Sequence, residues 1–259
     1  MANDYSVITE RPGLGVTQEQ LAMLYTRYCT AAGFCEGKHV LEIACGPGIG
    51  LGFLAHKASR VVGGDIDESL LHLAQEQYRG RKNIELKIFD AHHLPFTNRS
   101  FDVIVLFEAI YYLENPHRFL EECRRVLCKG GALLICMANK ECPEFVSSPF
   151  SVRYLSASEL FGLLSEHGFD TEIFGAFPLE VAGIKGRAVS LARRVVTALR
   201  LMPGSLKVRA ILKRVFYGRL VVLPQELKAG MTEAYPLTPI SLGSQYAQYK
   251  VLYSISYLR

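Results

Sequence analysis

Residues 39–67 read HVLEIACGPGIGLGFLAHKASRVVGGDID. A short apolar run, His39 to Ala44, carries one acid, Glu42, and leads into Gly46-Pro47-Gly48-Ile49-Gly50. A helical run follows to about Ala58. A second apolar run, Arg60 to Ile66, contains Asp65 and is followed by Asp67. Strand, glycine-rich turn, helix and strand, with acids at the strand ends, is an arrangement that holds a nucleotide-type ligand. The spacing is not G-x-G-x-x-G, because position 51 is Leu. In a dinucleotide site the turn and the helix N-terminus serve a pyrophosphate. Here the carboxylate of Glu42 would repel a pyrophosphate and attract an ammonium or sulfonium group. The pattern favours a ligand with a cationic tail.

The chain around this stretch continues the alternation. Thr17 and Gln20 form a capping box for a helix over about Gln18–Ala32, stopped near Gly33. Beyond residue 67, a helix carries Leu70, Leu71, Leu73 and Ala74. A third strand covers Ile84 to Phe89 and a fourth Phe101 to Phe107. A helix over about His117–Cys128 is expected to be capped by Lys129-Gly130-Gly131, with a fifth strand from Ala132 to Met137. Ser156 to His167 predicts a helix, Thr171 to Phe177 a sixth strand, and Tyr249 to Leu258 a last one. The central strands are nearly continuous apolar runs, as a parallel sheet covered on both faces requires. The expected fold is a doubly wound α/β sheet.

The acids sit where chemistry would use them. Asp65 ends the second strand and suits hydrogen bonds to ribose hydroxyls. Asp67 is the weaker candidate, since it equally suits a helix cap. Asp90 ends the third strand, where a carboxylate can accept from the exocyclic amine of a purine. Tyr25, Arg27 and Tyr28, just before the first strand, suit either a lid over the ligand or a packing helix. His92 and His93 follow Asp90 and are expected to be structural. No histidine or cysteine spacing suggests a metal.

These motifs together resemble the class I S-adenosylmethionine-dependent methyltransferase family. The likeness covers about Thr17 to Phe177 plus the last strand. It rests on VLEIACGPGIG, VVGGDIDESLL, DAHHLPFTNRSFDVIVLFEAIYYL and RRVLCKGGALLI. It implies a seven-stranded, mostly parallel sheet of the Rossmann-like methyltransferase fold, with S-adenosyl-L-methionine as cofactor. Glu42, Ala44, Gly46 and Gly48 would line its methionine part, with Tyr25, Arg27 and Tyr28 as further contacts. Asp65 would bind the ribose and Ile66 stack on adenine. Asp90 and Ala91 would hold the adenine edge, and Phe107 would make a backbone contact. Ala44 stands where the family usually has glycine. The Asn/Asp-Pro-Pro-Tyr signature of nucleobase-amine methylation is absent, so the likeness is to small-molecule methyltransferases acting on oxygen or nitrogen. Glu108, Tyr111 and Tyr112 are the catalytic candidates, with Glu108 the favoured base.

The totals fit this reading. The chain has 259 residues, with 49% hydrophobic and 21% charged residues, enough for a full core. Seven cysteines without CxxC spacing suggest reduced thiols and a cytoplasmic protein. The opening residues MANDYSVITERPG lack an apolar segment, and no apolar run approaches the ~18 residues of a membrane span.

Charge is uneven. Net charge is +4, yet residues 181–225 hold ten Lys or Arg and no acid. The expected organisation is an N-terminal lid helix over 1–36, a cofactor-binding core over 37–179 and 249–259, and a helical basic insertion over 180–248 between the sixth and seventh strands. Three readings of the insertion remain open: a cap for an anionic small-molecule acceptor, a membrane-facing surface through residues 185–219, or a solvated face whose apolar side packs on the sheet or a second subunit in a homodimer. Nucleic acid is disfavoured, because aromatic residues are sparse there. Two rivals to the cytosolic small-molecule enzyme are a peripheral membrane quinone or lipid methyltransferase, and a cofactor-binding protein without methyl transfer.

Overall fold

In a computed structural model of the chain, residues 9–179, 220–241, 243 and 246–259 are described. The main sheet contains β2 (His39–Ile43), β3 (Arg60–Asp65), β4 (Ile84–Ile88), β5 (Phe101–Phe107), β6 (Leu127–Ala138), β7 (Phe169–Pro178), β9 (Thr238–Pro239) and β10 (Tyr249–Leu258). Their order across the sheet is β4-β3-β2-β5-β6-β10-β7-β9. Strands β2 to β6 run parallel to one another, while β10 is inserted antiparallel between β6 and β7. The chain moves outward from β2 to β4, then crosses back to β5. The crevice between the ends of β2 and β5 is therefore the topological switch point, where open α/β sheets bind ligands.

The apolar runs divide by period two. Leu41, Ile43, Ile104 and Leu106 face one core layer, with α4 (Pro116–Val126) and α5 (Ala157–Glu166) on that side. Val40, Val103 and Val105 face the other layer, with α1 (Gln18–Ala32), α2 (Leu51–Ala55) and α3 (Glu68–Gln77). Helix α1 carries the expected capping box, Thr17 Oγ1 accepting from Gln20 N and Gln20 Oε1 from Thr17 N, each at 3.0 Å. Asp67 caps α3 by accepting from Ser69 N and Leu70 N.

Several boundaries differ from expectation. The helix after the glycine turn is one short element, Leu51–Ala55, instead of a run to Ala58. Lys129-Gly130-Gly131 does not cap a helix. Helix α4 ends at Val126 and the chain enters β6 at once. Phe101 pairs with Leu127 and Val103 with Ala132, so residues 128–131 bulge from the ladder, and Gly130 takes φ +73°. Among the described residues the main sheet contains all seven expected strands, and the two-residue β9 adds an edge beside Phe174 and Gly175.

The expected insertion falls largely outside the described residues. This applies to the proposed helices, to the membrane-facing stretch 185–219 and to the cap itself. Described residues between 220 and 248 contain no helix, so "helical" does not hold for that part. They form β8 (Val221–Val222), paired with β1 (Gly15–Val16), and then a strap across α2 and α3. Leu223 and Leu227 are buried, Arg81 donates to both carboxylate oxygens of Glu226, and Leu227 N donates to Ile49 O at 2.9 Å. No helix among the described residues is long and apolar enough to cross a membrane.

One element of the family-like sequence has a clear structural task. Arg125, in RRVLCKGG, donates to Leu94 O at 2.8 Å and to Phe96 O at 2.6 Å. Its partner Glu122 accepts from Leu94 N at 2.9 Å and from Arg125 at 2.7 Å. Together they hold the Leu94-Pro95-Phe96 turn, which follows the Asp90 loop.

Candidate active site

A cavity of about 640 Å³ opens at the switch point. That is within the range of pockets for small ligands. Its wall follows the sheet order, from Asp90 after β4, through Asp65 and Ile66 at β3 and Ala44 to Gly46 after β2, to Phe107 and Glu108 at β5. Ala138 on β6 and Lys250 and Val251 on β10 complete it. Helix α1 contributes Met23, Leu24, Arg27 and Tyr28, and the preceding segment contributes Thr9 and Glu10.

Of the residues expected at the site, two do not line the cavity. Tyr25 packs edge-on against Phe53, and its hydroxyl accepts from Gly230 N at 2.8 Å. Gly48 faces Leu51, Ala74 and Tyr78, and its carbonyl accepts from the Tyr78 hydroxyl at 2.7 Å. The others are brought together in the wall. Gly50 is required for a reason not visible in the turn. A Cβ there would lie 1.8 Å from the Tyr28 ring, so this glycine lets α1 close on the turn.

Glu42 is 2% exposed. The Tyr28 hydroxyl donates to its Oε1 at 2.6 Å, while Oε2 has no hydrogen-bond partner. Burial pushes its carboxyl up to about 7, against the Tyr28 hydrogen bond and the charge of Arg27. A buried carboxylate oxygen in a cavity wall with nothing donating to it is what a cationic ligand group would complete.

Asp65 is already engaged. Oδ2 accepts from Gly46 N at 2.8 Å and Oδ1 from Asp67 N at 2.9 Å. It fastens the glycine turn to β3, and each oxygen retains a second lone pair for a hydroxyl. Burial raises its carboxyl despite these donors. Ile66 beside it is 59% exposed, an apolar surface at the cavity rim suited to an adenine face.

Asp90 Oδ1 accepts from His92 N at 2.9 Å and lies 2.6 Å from His92 Nδ1. His92 Nε2 accepts from Asn115 N at 3.2 Å, so the neutral ring carries its proton on Nδ1 and gives it to Asp90. Burial opposes the Asp90 charge, but His92 outweighs it and holds the carboxyl below its usual range. The ring ties Asp90 to the N-cap of α4, the structural role expected of it.

At the end of β5, Glu108 takes φ +51°, in the left-handed region. Its N donates to Cys136 O at 2.8 Å, and its Oε2 accepts from the Tyr111 hydroxyl at 2.9 Å. Burial raises the Glu108 carboxyl, with Arg27 and Tyr111 resisting. Burial, then the Glu108 charge, push Tyr111 far above its ordinary value. Tyr112 donates to Ser148 Oγ at 2.6 Å. Arg27 is buried and donates to both oxygens of Glu10, at 3.0 and 2.8 Å. Phe107 meets the Tyr28 ring edge-on at 5.3 Å.

Glu10, Ser148 and Lys250 line the cavity and were not anticipated. They lie in a polar N-terminal segment, a loop and an antiparallel strand far along the chain. Nothing in their local sequence marks them.

Ala44 also takes φ +58°, and its methyl is exposed. A Cβ there costs about 1–2 kcal/mol. Ala44→Gly is expected to stabilise the chain by about 0.5–1 kcal/mol, the strain relief exceeding the added unfolded-chain entropy. Thermal unfolding would show a higher midpoint; a lower one would mean that the methyl packs productively.

The cavity thus offers an unsatisfied acid beside a glycine turn, a ribose-competent acid, an exposed apolar shelf and an adenine-competent acid. That order matches the charges and faces of S-adenosylmethionine. Residues 41–135 match the family described as methyltransferase domain. A probable S-adenosylmethionine-dependent methyltransferase of Mycolicibacterium smegmatis is 34% identical over 142 residues, 53% of this chain and 54% of that protein. A demethylmenaquinone methyltransferase of Clavibacter sepedonicus is 31% identical over 123 residues, 48% of this chain and 49% of that protein. The matched region thus spans about half the length of these curated relatives. Among solved structures, the [4+2]-cyclase SpnF superposes with a TM-score of 0.58 at 17% identity, covering 96% of this chain and 87% of that one. That likeness shows the fold alone. The domain match, the relatives and the cofactor-shaped cradle agree that residues 41–135 are similar to the methyltransferase domain of S-adenosylmethionine-dependent methyltransferases.

Proposed function

We propose that this protein transfers a methyl group from S-adenosylmethionine to an oxygen or nitrogen of a small-molecule acceptor, with a hydroxyl favoured. The observation that carries this is Glu108, a carboxylate in the cavity wall beside the cofactor cradle, oriented by Tyr111. The cofactor supplies a methyl carbon on a sulfonium sulfur. Glu42 would hold its ammonium group, Asp65 its ribose, Ile66 and Asp90 its adenine. Glu108 would accept the acceptor's hydroxyl proton on a carboxylate oxygen, and Tyr111 would hold that carboxylate in place. Proximity supplies the rest, because a displacement of this kind requires the nucleophile close and in line.

The charged lining of the described cavity is mainly acidic, with Glu10, Glu42, Asp65, Asp90, Glu108 and Glu114 against Arg27 and Lys250. That balance favours a neutral acceptor over an anionic one. A second reading, a quinone or lipid acceptor, draws on the name of the Clavibacter relative. A third reading, cofactor binding without methyl transfer, is an outcome of the test.

Incubation with methyl-labelled S-adenosylmethionine and a panel of phenols, alcohols and amines is expected to move label into an organic product. One S-adenosylhomocysteine should form for each methyl moved. Tight cofactor binding with no label transferred to any of them would sink the proposal.

A further inference from the structure

Arg27 and Lys250 are the Lys and Arg side chains of the cavity wall, and they are engaged differently. Lys250 is paired with Glu19 and Glu144, neither of which lines the cavity. Arg27 is paired with Glu10, which does. That pair is lopsided. Both Glu10 oxygens accept from a single nitrogen, Nη2, at 3.0 and 2.8 Å. The Nε of the same guanidinium is buried with no hydrogen-bond partner among the described residues. A guanidinium holds a carboxylate best through two parallel N–H groups, and a buried donor left unpaired is costly. Glu10 therefore supplies Arg27 with a counter-charge without using its fork. The Arg27 side chain is 6% exposed and that of Glu10 41%, so a fixed cation is joined to a carboxylate that water can take back.

The segment that delivers Glu10 is anchored at one end. Gly13 N donates to Leu223 O at 3.0 Å, Leu223 N donates to Leu14 O at 2.8 Å, and β1 pairs with β8. Gly13 takes φ +85° in the turn that precedes β1. Ahead of it, Thr9 lies against the glycine turn, its methyl 3.0 Å from where a Cβ on Gly46 would be. Rotation at Gly13 would lift Thr9 and Glu10 and leave the β1–β8 ladder intact. The Arg27 charge lowers the carboxyls of both Glu42 and Glu108 against burial, so its head is close to both.

We propose that Glu10 is a built-in competitor for the cofactor: its carboxylate takes the Arg27 head that the amino-acid carboxylate of S-adenosylmethionine needs, and it withdraws when the cofactor binds. This rests on the reading of the cavity as a cofactor site and adds a gate to that site. The ammonium assigned to Glu42 and this carboxylate share one carbon, so a ligand seated on Glu42 meets Arg27 where Glu10 stands. A ligand carboxylate on the fork would also complete Nε, which Glu10 leaves unpaired. A segment that merely closes over the ligand would have the opposite sign, because Glu10 would stay on Arg27 and its loss would weaken binding.

The probes are S-adenosylhomocysteine and its decarboxylated analogue, S-adenosyl-3-thiopropylamine, which keeps the amine and lacks the carboxylate. Each is titrated calorimetrically into the full chain and into Glu10→Gln. The variant is expected to bind S-adenosylhomocysteine about fivefold more tightly, the upper range for release of a half-exposed ion pair. It should bind the analogue no more tightly than the parent does. Glu10→Ala, which removes the amide oxygen as well, should show the same pattern. An equal gain for both probes would overturn the proposal, since Glu10 would then obstruct the cavity without competing for Arg27. Unchanged or weaker S-adenosylhomocysteine binding in both variants would overturn it too. Failure of both probes to bind the parent would remove the cofactor reading and this inference with it. Absence of methyl transfer with the Glu10→Gln pattern intact would count against the enzymatic reading alone.

Discussion

Glu42→Gln is expected to weaken S-adenosylmethionine binding by roughly 30- to 1,000-fold, equivalent to about 2–4 kcal/mol. The substitution keeps the side chain's shape and an oxygen for the Tyr28 hydroxyl. It removes only the negative charge and the carboxylate oxygen that no group in the described structure satisfies. The cofactor's cationic amino-acid end is the group that would complete that oxygen. Calorimetry at pH 8 measures the loss directly. Equal affinities for parent and variant would remove Glu42 from the site.

The pH dependence gives a second handle on the same residue. Burial raises the free Glu42 carboxyl to about 7. A cationic ligand selects the ionised form. Affinity in the parent should therefore fall about tenfold per unit as pH drops below 7 and level off above it. Near pH 7, binding should release a proton, visible as a dependence of the heat on the buffer. Glu42→Gln should show neither effect. Without ligand the same group works against the fold. Its folded value lies above its ordinary value of 4.5, so the native state holds the extra proton between the two. Unliganded stability should decline as pH rises through that window, by something on the order of 3 kcal/mol for this group. The difference between parent and variant unfolding at pH 5 and 7.5 isolates it.

What was legible in the chain was local. Apolar runs such as FDVIVLF must be covered on both faces, so the parallel core followed from them. Thr17 and Gln20 announced α1, and Asp67 its capping of α3, because those bonds close within three residues. Contacts across long separations were not legible. Nothing in Tyr28 or Glu42 alone shows that the one donates a hydrogen bond to the other, or that Gly50 exists to admit the Tyr28 ring. Arg27 suited either a lid or a packing helix, and its ion pair with Glu10 depends on how the N-terminal segment returns over α1. Lys129-Gly130-Gly131 has the composition of a helix stop, yet Leu127 already pairs with Phe101, and the glycines absorb a bulge. Tyr25 shares a face with Tyr28 by spacing, but lies one turn away and meets Phe53 and Gly230. Helical periodicity identifies a face of a helix and leaves open which neighbour each turn of it meets.

Glu108→Gln is expected to lower kcat by roughly 10²- to 10⁴-fold, the usual contribution of a positioned base, with S-adenosylmethionine affinity retained. The retained affinity matters, because Glu108 lies at the end of β5, apart from the acids proposed to hold the cofactor. Its carboxyl is raised by burial and drawn back by Arg27 and Tyr111. Only the ionised form can accept a proton, so kcat should fall as pH drops through that raised value. Tyr111→Phe removes a donor that favours the ionised form. It should therefore move this acid limb to higher pH and reduce kcat less than Glu108→Gln does, by roughly ten- to a hundredfold, as for one lost charge-assisted hydrogen bond. A residue that only supported the β5 turn would lower stability without moving the limb. If Glu108→Gln kept the parent's kcat and acid limb, proton removal would have to be assigned elsewhere, or the acceptor would need no base at all. If only Tyr111→Phe failed to shift the limb, Glu108 would stand as the base and Tyr111 would be a packing residue, stacked on Tyr154.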